Sequence, residues 1–459
     1  MTALERRLVP ALLFVALVVA VVGSLGAPLI TAVAADFGVS LAAAQWTLTA
    51  PLLVGAVATP VLGRLGTGPR RRQVVLVTLG VVVAGSLLTV LPPSAGFGWL
   101  LAGRVAQGVG LGLTALMMGV ARDHLPASRS ASTIALLSVA STVGIGIGYP
   151  LAGLLTAVAG LRAAYGLGLL ITAVALAAAW RTVPQAPAGR SAAVDVLGAS
   201  LLGAALLALL LAIGQTTVWA ERPWVGVALL AVAAGLLVTW VARERRSAAP
   251  LVDLALLRHH AVAGANAVML VGGIGMYLLL TLVTRYVQTP SSAGYGFGVG
   301  VFVAGLVLVP FSALGFAGGR VVPALQRRLA PSSLLAAGAT AVLVALVVFA
   351  LTRDALWLAF AVMGLLGLGV GVFSAAMPAV ILAVTPTGET SSAMSVTQVV
   401  RSVGFAIGSA LGGLTLAAHT PAGAAFPAES GYAAAAWLGA AAMAVTVVAA
   451  LTLRRPGRA

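Results

Sequence analysis

Nearly all the charged residues of this chain sit in short gaps between apolar runs of about 20 residues, the length at which an α-helix crosses the hydrocarbon core of a bilayer. Charged residues make up 8% of the 459 positions and hydrophobic residues 61%. With a mean hydropathy of +1.11, the chain has too little polar surface to cover itself in water. Lipid is therefore its solvent, and the fold class expected is an all-α protein that crosses the lipid bilayer many times. The first run, from Leu8 to about Ile30, exceeds the ~7–15-residue core of a signal peptide and leads straight into a second spanning segment, so it reads as a retained helix.

The net charge of +16 would suggest a nucleic-acid partner in a soluble protein, but the positions of the basic residues exclude that reading. All 26 are Arg. Arg6, Arg7, Arg70, Arg71, Arg72, Arg243, Arg245, Arg246, Arg327, Arg328, Arg454 and Arg455 fall in every second gap, the pattern of cytoplasmic loops. Both termini are accordingly expected in the cytoplasm. The absence of Lys together with abundant Ala, Gly, Val and Leu points to a GC-rich bacterial genome, hence to a bacterial plasma membrane. With no Cys there is no disulfide, thiolate metal site or cysteine nucleophile, and no metal or cofactor is expected.

Hydropathy, punctuated by Pro, Gly and charge, places spanning helices at roughly 8–31, 40–62, 73–92, 98–121, 131–156 and 159–180, then 196–215 and 223–242, then 261–288, 297–318, 333–352, 355–384, 391–417 and 431–453. The expected organisation is an N-terminal six-helix half over 1–180, linkers with two extra spanning helices over 181–260, and a C-terminal six-helix half over 261–459. The outer blocks share a faint repeat. Gly63-Arg64-Leu65 with Arg71 and Arg72 is echoed by Gly319-Arg320-Val321 with Arg327 and Arg328. The run Gly108-Val109-Gly110-Leu111-Gly112 is echoed by Gly367-Leu368-Gly369-Val370-Gly371, and Gly144, Gly148 and Gly153 by Gly404, Gly408 and Gly413. Three echoes in one order at nearly one offset argue for duplicated halves, the arrangement that permits alternating access to a midplane cavity.

Three motifs carry the chemistry. The loop Gly63-Arg64-Leu65-Gly66-Thr67-Gly68-Pro69-Arg70-Arg71-Arg72 joins glycines, which allow a sharp turn and a close helix approach, to arginines suited to an anionic cytoplasmic face. Arg104-Val105-Ala106-Gln107-Gly108-Val109-Gly110 sets an Arg inside a spanning segment, where its cost of at least ~2.5 kcal/mol calls for a cavity, a partner or snorkelling to the nearby boundary. Gln107 lies one turn away on the same face, and Gly108 permits close helix contact. Gly144, Gly148, Pro150 and Gly153 combine a small-residue face with a proline that removes a helical hydrogen bond; Tyr149 offers a phenol beside it.

These motifs resemble the signatures of the major facilitator superfamily, and within it the fourteen-helix drug:proton antiporter group. The first is similar to Gly-x-Leu-Ala-Asp-Arg-x-Gly-Arg-Arg, with Thr67 at the Asp position, and the second to Arg-x-x-Gln-Gly-x-Gly. The third is similar to Gly-x-x-x-Gly-Pro-x-x-Gly-Gly, with Tyr149 where the signature has Pro and Pro150 one place later. Gln45-Trp46-Thr47-Leu48-Thr49 also looks like that group. The resemblance implies a major-facilitator fold of fourteen spanning helices and efflux of hydrophobic or amphipathic small molecules by proton antiport, with Arg104 in coupling. Trp46, Gln107, Tyr149, Tyr277, Gln398 and Arg401 are the candidate substrate contacts, Trp46 also suiting an interfacial belt. Asn266 and Met276 are not separable from packing residues at this stage, and Arg285 sits near enough to the outer surface to snorkel.

The group commonly has an Asp in helix 1, but Val21-Val22-Gly23-Ser24-Leu25-Gly26 contains none. Asp36, just past that helix, is the nearest acid and the candidate proton site. An enzyme is not expected, because neither Arg122-Asp123-His124 nor His259-His260 has a third ligand or a nucleophile at useful spacing. The expected partners are a small-molecule substrate, protons and the bilayer, with the chain a monomer. A facilitative or uptake carrier of the same fold, or a non-transporting sensor, is the alternative.

Overall fold

A computed structural model describes residues 3–26, 29–66, 69–185, 195–214, 222–247, 252, 254, 257, 259–421, 424 and 426–453. Thr67, Arg190, Glu221, Arg454 and Arg455 lie outside the described residues. Among those described there is no strand, and fourteen segments are long and apolar enough to cross a membrane.

In the first half α1 (Ala3–Ser24) is followed by the short α2 (Ile30–Phe37), α3 (Leu41–Leu65), α4 (Arg71–Thr89), α5 (Phe97–Val109), α6 (Leu113–His124), α7 (Ala127–Ala159) and α8 (Leu161–Thr182). A 3₁₀ turn at Gly110–Gly112 joins α5 and α6 into one span. The two extra spans are α9 (Val196–Gly214) and α10 (Pro223–Glu244). The second half runs through α11 (His260–Gln288), α12 (Val301–Leu325), α13 (Pro331–Leu351), α14 (Leu356–Leu382), α15 (Thr390–Ala418) and α16 (Glu429–Thr452).

Two of the expected spans need correction. The helix placed at 8–31 stops at Ser24, and α2 is a separate element. The sequence places Pro28 four residues after Ser24, and a proline has no N–H to bond the Ser24 carbonyl in a continued helix. At Gly26 a Cβ would come within 2.6 Å of Arg104 Nη2 and 3.2 Å of the Thr47 carbonyl, so the chain passes this point without a side chain. The helix placed at 297–318 instead runs from Val301 to Leu325. Before it, Gly294, Gly296 and Gly298 all have positive φ, and Gly298 and Val299 donate back to Thr289 (2.8 Å) and Val287 (3.1 Å), so the loop is folded onto the end of α11 rather than coiled. At its other end the helix continues through Gly318-Gly319-Arg320, where the small residues pack on Leu368 and Val139.

The repeat seen in the sequence is realised as equivalent packing. Within the first half α1 packs on α7, α3 on α5 and α4 on α8; within the second α11 packs on α15, α12 on α14 and α13 on α16. The glycine echoes occupy corresponding contacts. Gly144 and Gly148 of α7 meet Ala20 and Ser24 of α1, while Gly404 and Gly408 of α15 meet the Leu270 and Ile274 carbonyls of α11. The halves meet along two seams, α7 against α12 and α3 against α15. Helix α9 lies over the second seam, with Gly203 against Val57 of α3 and Leu210 in a cluster with Leu53, Ala56, Val403 and Ala406. Helix α10 packs on α9 and otherwise exposes most of its surface, as a helix facing lipid should. The pair is tied at one end by Arg243, which donates to Asp195 at 2.8 and 2.9 Å and holds that carboxyl below the usual range.

Candidate substrate path between the halves

The α7–α12 seam is a direct backbone contact. The amide of Gly146 donates to Ser312 Oγ at 2.9 Å, and Ser312 Oγ in turn donates to the Thr142 carbonyl. One turn further along, a Cβ on Gly305 would meet the nitrogen of Pro150 at 2.9 Å, and Gly153 faces Phe302. The proline suits this place because it carries no N–H to leave unpaired where a second backbone presses against it. The third motif thus divides its work: Gly144 and Gly148 fix α7 to α1, while Pro150 and Gly153 fix it to the other half. Gly146, which the sequence reading passed over, belongs with the second group.

Arg104 is fully buried. Its Nε donates to the Thr47 carbonyl at 2.8 Å and its Nη1 to the Val22 carbonyl at 2.9 Å and Gln107 Oε1 at 2.7 Å. Gln107 then donates from Nε2 to Ser86 Oγ at 3.0 Å. One guanidinium therefore joins α1, α3 and α5, and its amide neighbour extends the network to α4. Snorkelling is excluded, since the side chain points into the helix bundle of the first half and its donors are taken up by protein oxygens. Gln107, a candidate substrate contact, spends both ends of its amide in the same network. Gly108 packs against Pro51 of α3, where a Cβ would meet the Pro51 carbonyl at 2.5 Å.

At the arginine-rich end the halves are latched together. Gly63 of α3 faces Ser395 of α15, where a Cβ would stand 2.7 Å from the serine Cβ, and Arg64 Nη1 pairs with Glu389 Oε1 at 3.3 Å. Arg122 of α6 reaches across to the second half, donating to Thr390 Oγ1 at 3.0 Å and to the Leu382 and Thr385 carbonyls at 3.1 and 2.9 Å. Arg71 is buried and pairs with Asp123, and its Nε donates to the Gly66 carbonyl. Arg72 donates to the Trp180 carbonyl at 2.7 Å. Read along the chain, Arg122 and Asp123 are ordinary end-of-helix charges; across helices, Asp123 supplies the acidic partner that the signature loop lacks at Thr67. A cavity of about 320 Å³ opens beside this latch, lined by Arg122, Ser130, Ile134, Gln326, Pro378 and Leu382.

The second half holds a different arrangement. Arg401, near the middle of α15, places its guanidinium carbon 5.7 Å from the Phe405 ring centroid, and Tyr277 of α11 stacks on Phe405 at 5.0 Å and 21°. Tyr149 of α7 is half-buried on the seam between the halves, where its backbone lies against Gly305 of α12. Gln398, also half-buried, lies one turn from Arg401 on α15. Toward the opposite end, Thr281, Leu282, Arg285, Ser409, Gly412, Gly413 and Leu416 line a cavity of about 90 Å³ between α11 and α15. Trp46 and Asp36 are exposed on the first half, and among the described residues Asp36 forms no ion pair or hydrogen bond. The structure therefore brings Tyr277 and Arg401 together around Phe405 and places Arg104 and Gln107 in another neighbourhood, with Asp36 in contact with neither.

No group of three or more His, Asp or Glu residues able to hold a metal occurs among the described residues, and His259 and His260 stack on each other at 4.6 Å.

The family model of the Major Facilitator Superfamily matches residues 12–409. A "Probable actinorhodin transporter" of Streptomyces coelicolor is 31% identical over 402 residues, covering 83% of this chain and 67% of its own. "Multidrug resistance protein Stp" of Mycobacterium tuberculosis is 27% identical over 395 residues, covering 83% and 70% respectively. Among solved structures, the human organic anion transporter MFSD10 (TETRAN) superposes with a TM-score of 0.65 at 16% identity, covering 98% of this chain and all of its own; this likeness concerns the fold.

Proposed function

The chain belongs to the major facilitator superfamily, a family of membrane transporters and not of enzymes, and from that premise we propose that it exports hydrophobic or amphipathic small molecules by alternating access in a bacterial plasma membrane. The observation that carries this reading is the latch. Arg64–Glu389 and the bonds of Arg122 to Thr390, Leu382 and Thr385 join the halves at one end by polar contacts, which open without exposing apolar core. The relatives named for actinorhodin transport and multidrug resistance support the outward direction and the substrate class.

The orientation in this reading puts both termini and the latch in the cytoplasm, as the alternating arginines require. Reporter fusions after Arg72, Arg190, Arg246 and Arg328 are expected to report cytoplasm, and fusions near Glu221 or Pro421 the outside. A cytoplasmic signal from both of the latter would contradict it.

Export is coupled in this reading to proton entry, with Asp36 as the group that takes up a proton from outside; its exposure and lack of a described partner suit a carboxylate that must exchange protons with water. The second reading is a carrier that moves its substrate without protons. One observation favours it: the acidic side chains described, at Asp36, Asp123, Asp195, Glu244, Asp354, Glu389 and Glu429, all lie at helix ends or between helices, so none sits at the midplane. Flux in proteoliposomes under an imposed pH gradient separates the two. Asp36→Asn is expected to abolish gradient-driven flux while sparing downhill exchange. Full coupled flux in that variant places the proton site elsewhere, and a wild type indifferent to the gradient supports the uncoupled carrier.

A further inference from the structure

Arg104 and Arg401, the two described arginines farthest from the ends of their spanning segments, are treated very differently by their surroundings. Arg104 spends its donors on two carbonyls and a glutamine oxygen at 2.7–2.9 Å. Arg401 makes no hydrogen bond or ion pair among the described residues, and its Nε is buried without a partner. Its one described contact is the face of Phe405. An ionised guanidinium held in a bilayer-spanning segment is costly, and such groups ordinarily face a cavity or find a partner. Gly273 of α11 lies against this part of α15, beside the Gly404 Cα and the Arg401 carbonyl, and as a glycine it offers no side chain to accept from Arg401.

The neighbours of Arg401 are aromatic on one side and lead outward on the other. Phe405 and Tyr277 stack at 5.0 Å. Arg401, Phe405 and Ser409 follow one face of α15 at a spacing of four, and Tyr277, Thr281 and Arg285 follow one face of α11 at the same spacing. The outer parts of both stripes, Thr281, Arg285 and Ser409, line the 90 Å³ cavity, and Arg285 at its end is exposed. A deep arginine on an aromatic platform, followed by hydroxyls and a second arginine toward the opposite surface, is an arrangement complementary to negative charge joined to a ring.

We propose that the transported substrate is an amphipathic aromatic anion, whose carboxylate or phenolate takes the free donors of Arg401 while its ring lies along Phe405 and Tyr277. The proposal rests on the transporter reading and narrows its substrate class. A guanidinium presents two parallel N–H groups to a carboxylate and stays charged at every pH the cell meets, so it selects the ionised form of the substrate. The aromatic stack supplies the hydrophobic share of the affinity without demanding one ring shape.

The test uses three probes of one shape: a naphthalene carboxylate, its neutral carboxamide and the corresponding aminomethyl cation. Binding to the purified full-length protein and flux in proteoliposomes are measured for each, with wild type, Arg401→Gln, Arg401→Lys and Phe405→Ala. The wild type is expected to bind the carboxylate at least ten-fold more tightly than the amide and to discriminate further against the cation. Arg401→Gln is expected to bring the carboxylate down to the level of the amide, with a melting temperature equal to or above that of the wild type, because a cation without a partner has been removed. Arg401→Lys retains part of the preference, and Phe405→Ala weakens carboxylate and amide together. A wild type that binds none of the probes, or Arg401→Gln that lowers the melting temperature and weakens all three probes equally, overturns the proposal, the latter by assigning Arg401 a structural role. Flux of the amide or cation without any preference for the carboxylate overturns it too, but leaves the transporter reading standing; absence of flux for every known binder tells against the transporter reading instead.

Discussion

Arg104→Ala is expected to abolish transport and to lower stability by on the order of 3 kcal/mol, because it withdraws the charged donors from the Thr47 and Val22 carbonyls and from Gln107 Oε1 at once. Judged from the sequence alone, the loss should fall on transport and leave folding intact. The observed bonds change that expectation, since the side chain ties three helices together and stands where Gly26 makes room for it. The measurement is paired: efflux from cells, and thermal unfolding of the purified protein followed by size-exclusion fluorescence. Arg104→Lys should recover part of the melting temperature, as one ammonium reaches fewer of these oxygens than the guanidinium fork. An alanine variant with a wild-type melting temperature would show that the network carries no stability.

Gly371→Ala is expected to be among the most damaging single-methyl additions in the second half. Its added Cβ would overlap the carbonyl oxygen of Gly315, and Gly367 stands in the same relation to the Phe311 carbonyl, so α12 and α14 touch backbone to backbone. A side chain could rotate away from an intruding methyl; a helix backbone cannot move without separating the pair. The cost expected is on the order of 4 kcal/mol, enough to abolish a monodisperse peak in detergent. Gly235→Ala on α10 is the control, because nothing lies within 4 Å of a Cβ built there. Equal yields of the two variants would refute the argument that this packing depends on bare backbone.

These two positions also mark what was legible along the chain. Gly371 belongs to the run that echoes Gly108–Gly112, and the echo could be found because a duplicated half repeats its small residues wherever equivalent helices must touch. The structure shows the same logic at Gly404 and Gly408 against α11 and at Gly144 and Gly148 against α1. The carbonyls those glycines meet were not legible, since sequence spacing says that a helix comes close and not which one. The latch was less legible still. Arg122 and Asp123 look like routine charges at the end of a span, and only the folded chain brings Arg122 to Thr390, 268 residues away.

The sequence by itself determined that the chain lives in lipid, how often it crosses and where it repeats. Those properties depend on hydropathy and residue size summed over about 20 consecutive residues, and such sums are local. Tertiary structure alone decided the fate of each intramembrane charge. Arg104 and Arg401 are the same residue in equally apolar helices, yet one finds carbonyls of α1 and α3 within 3 Å and the other finds an aromatic face and a glycine. The partner of a buried charge is set by which helices converge on it, and that convergence is a property of the packed bundle rather than of any one segment.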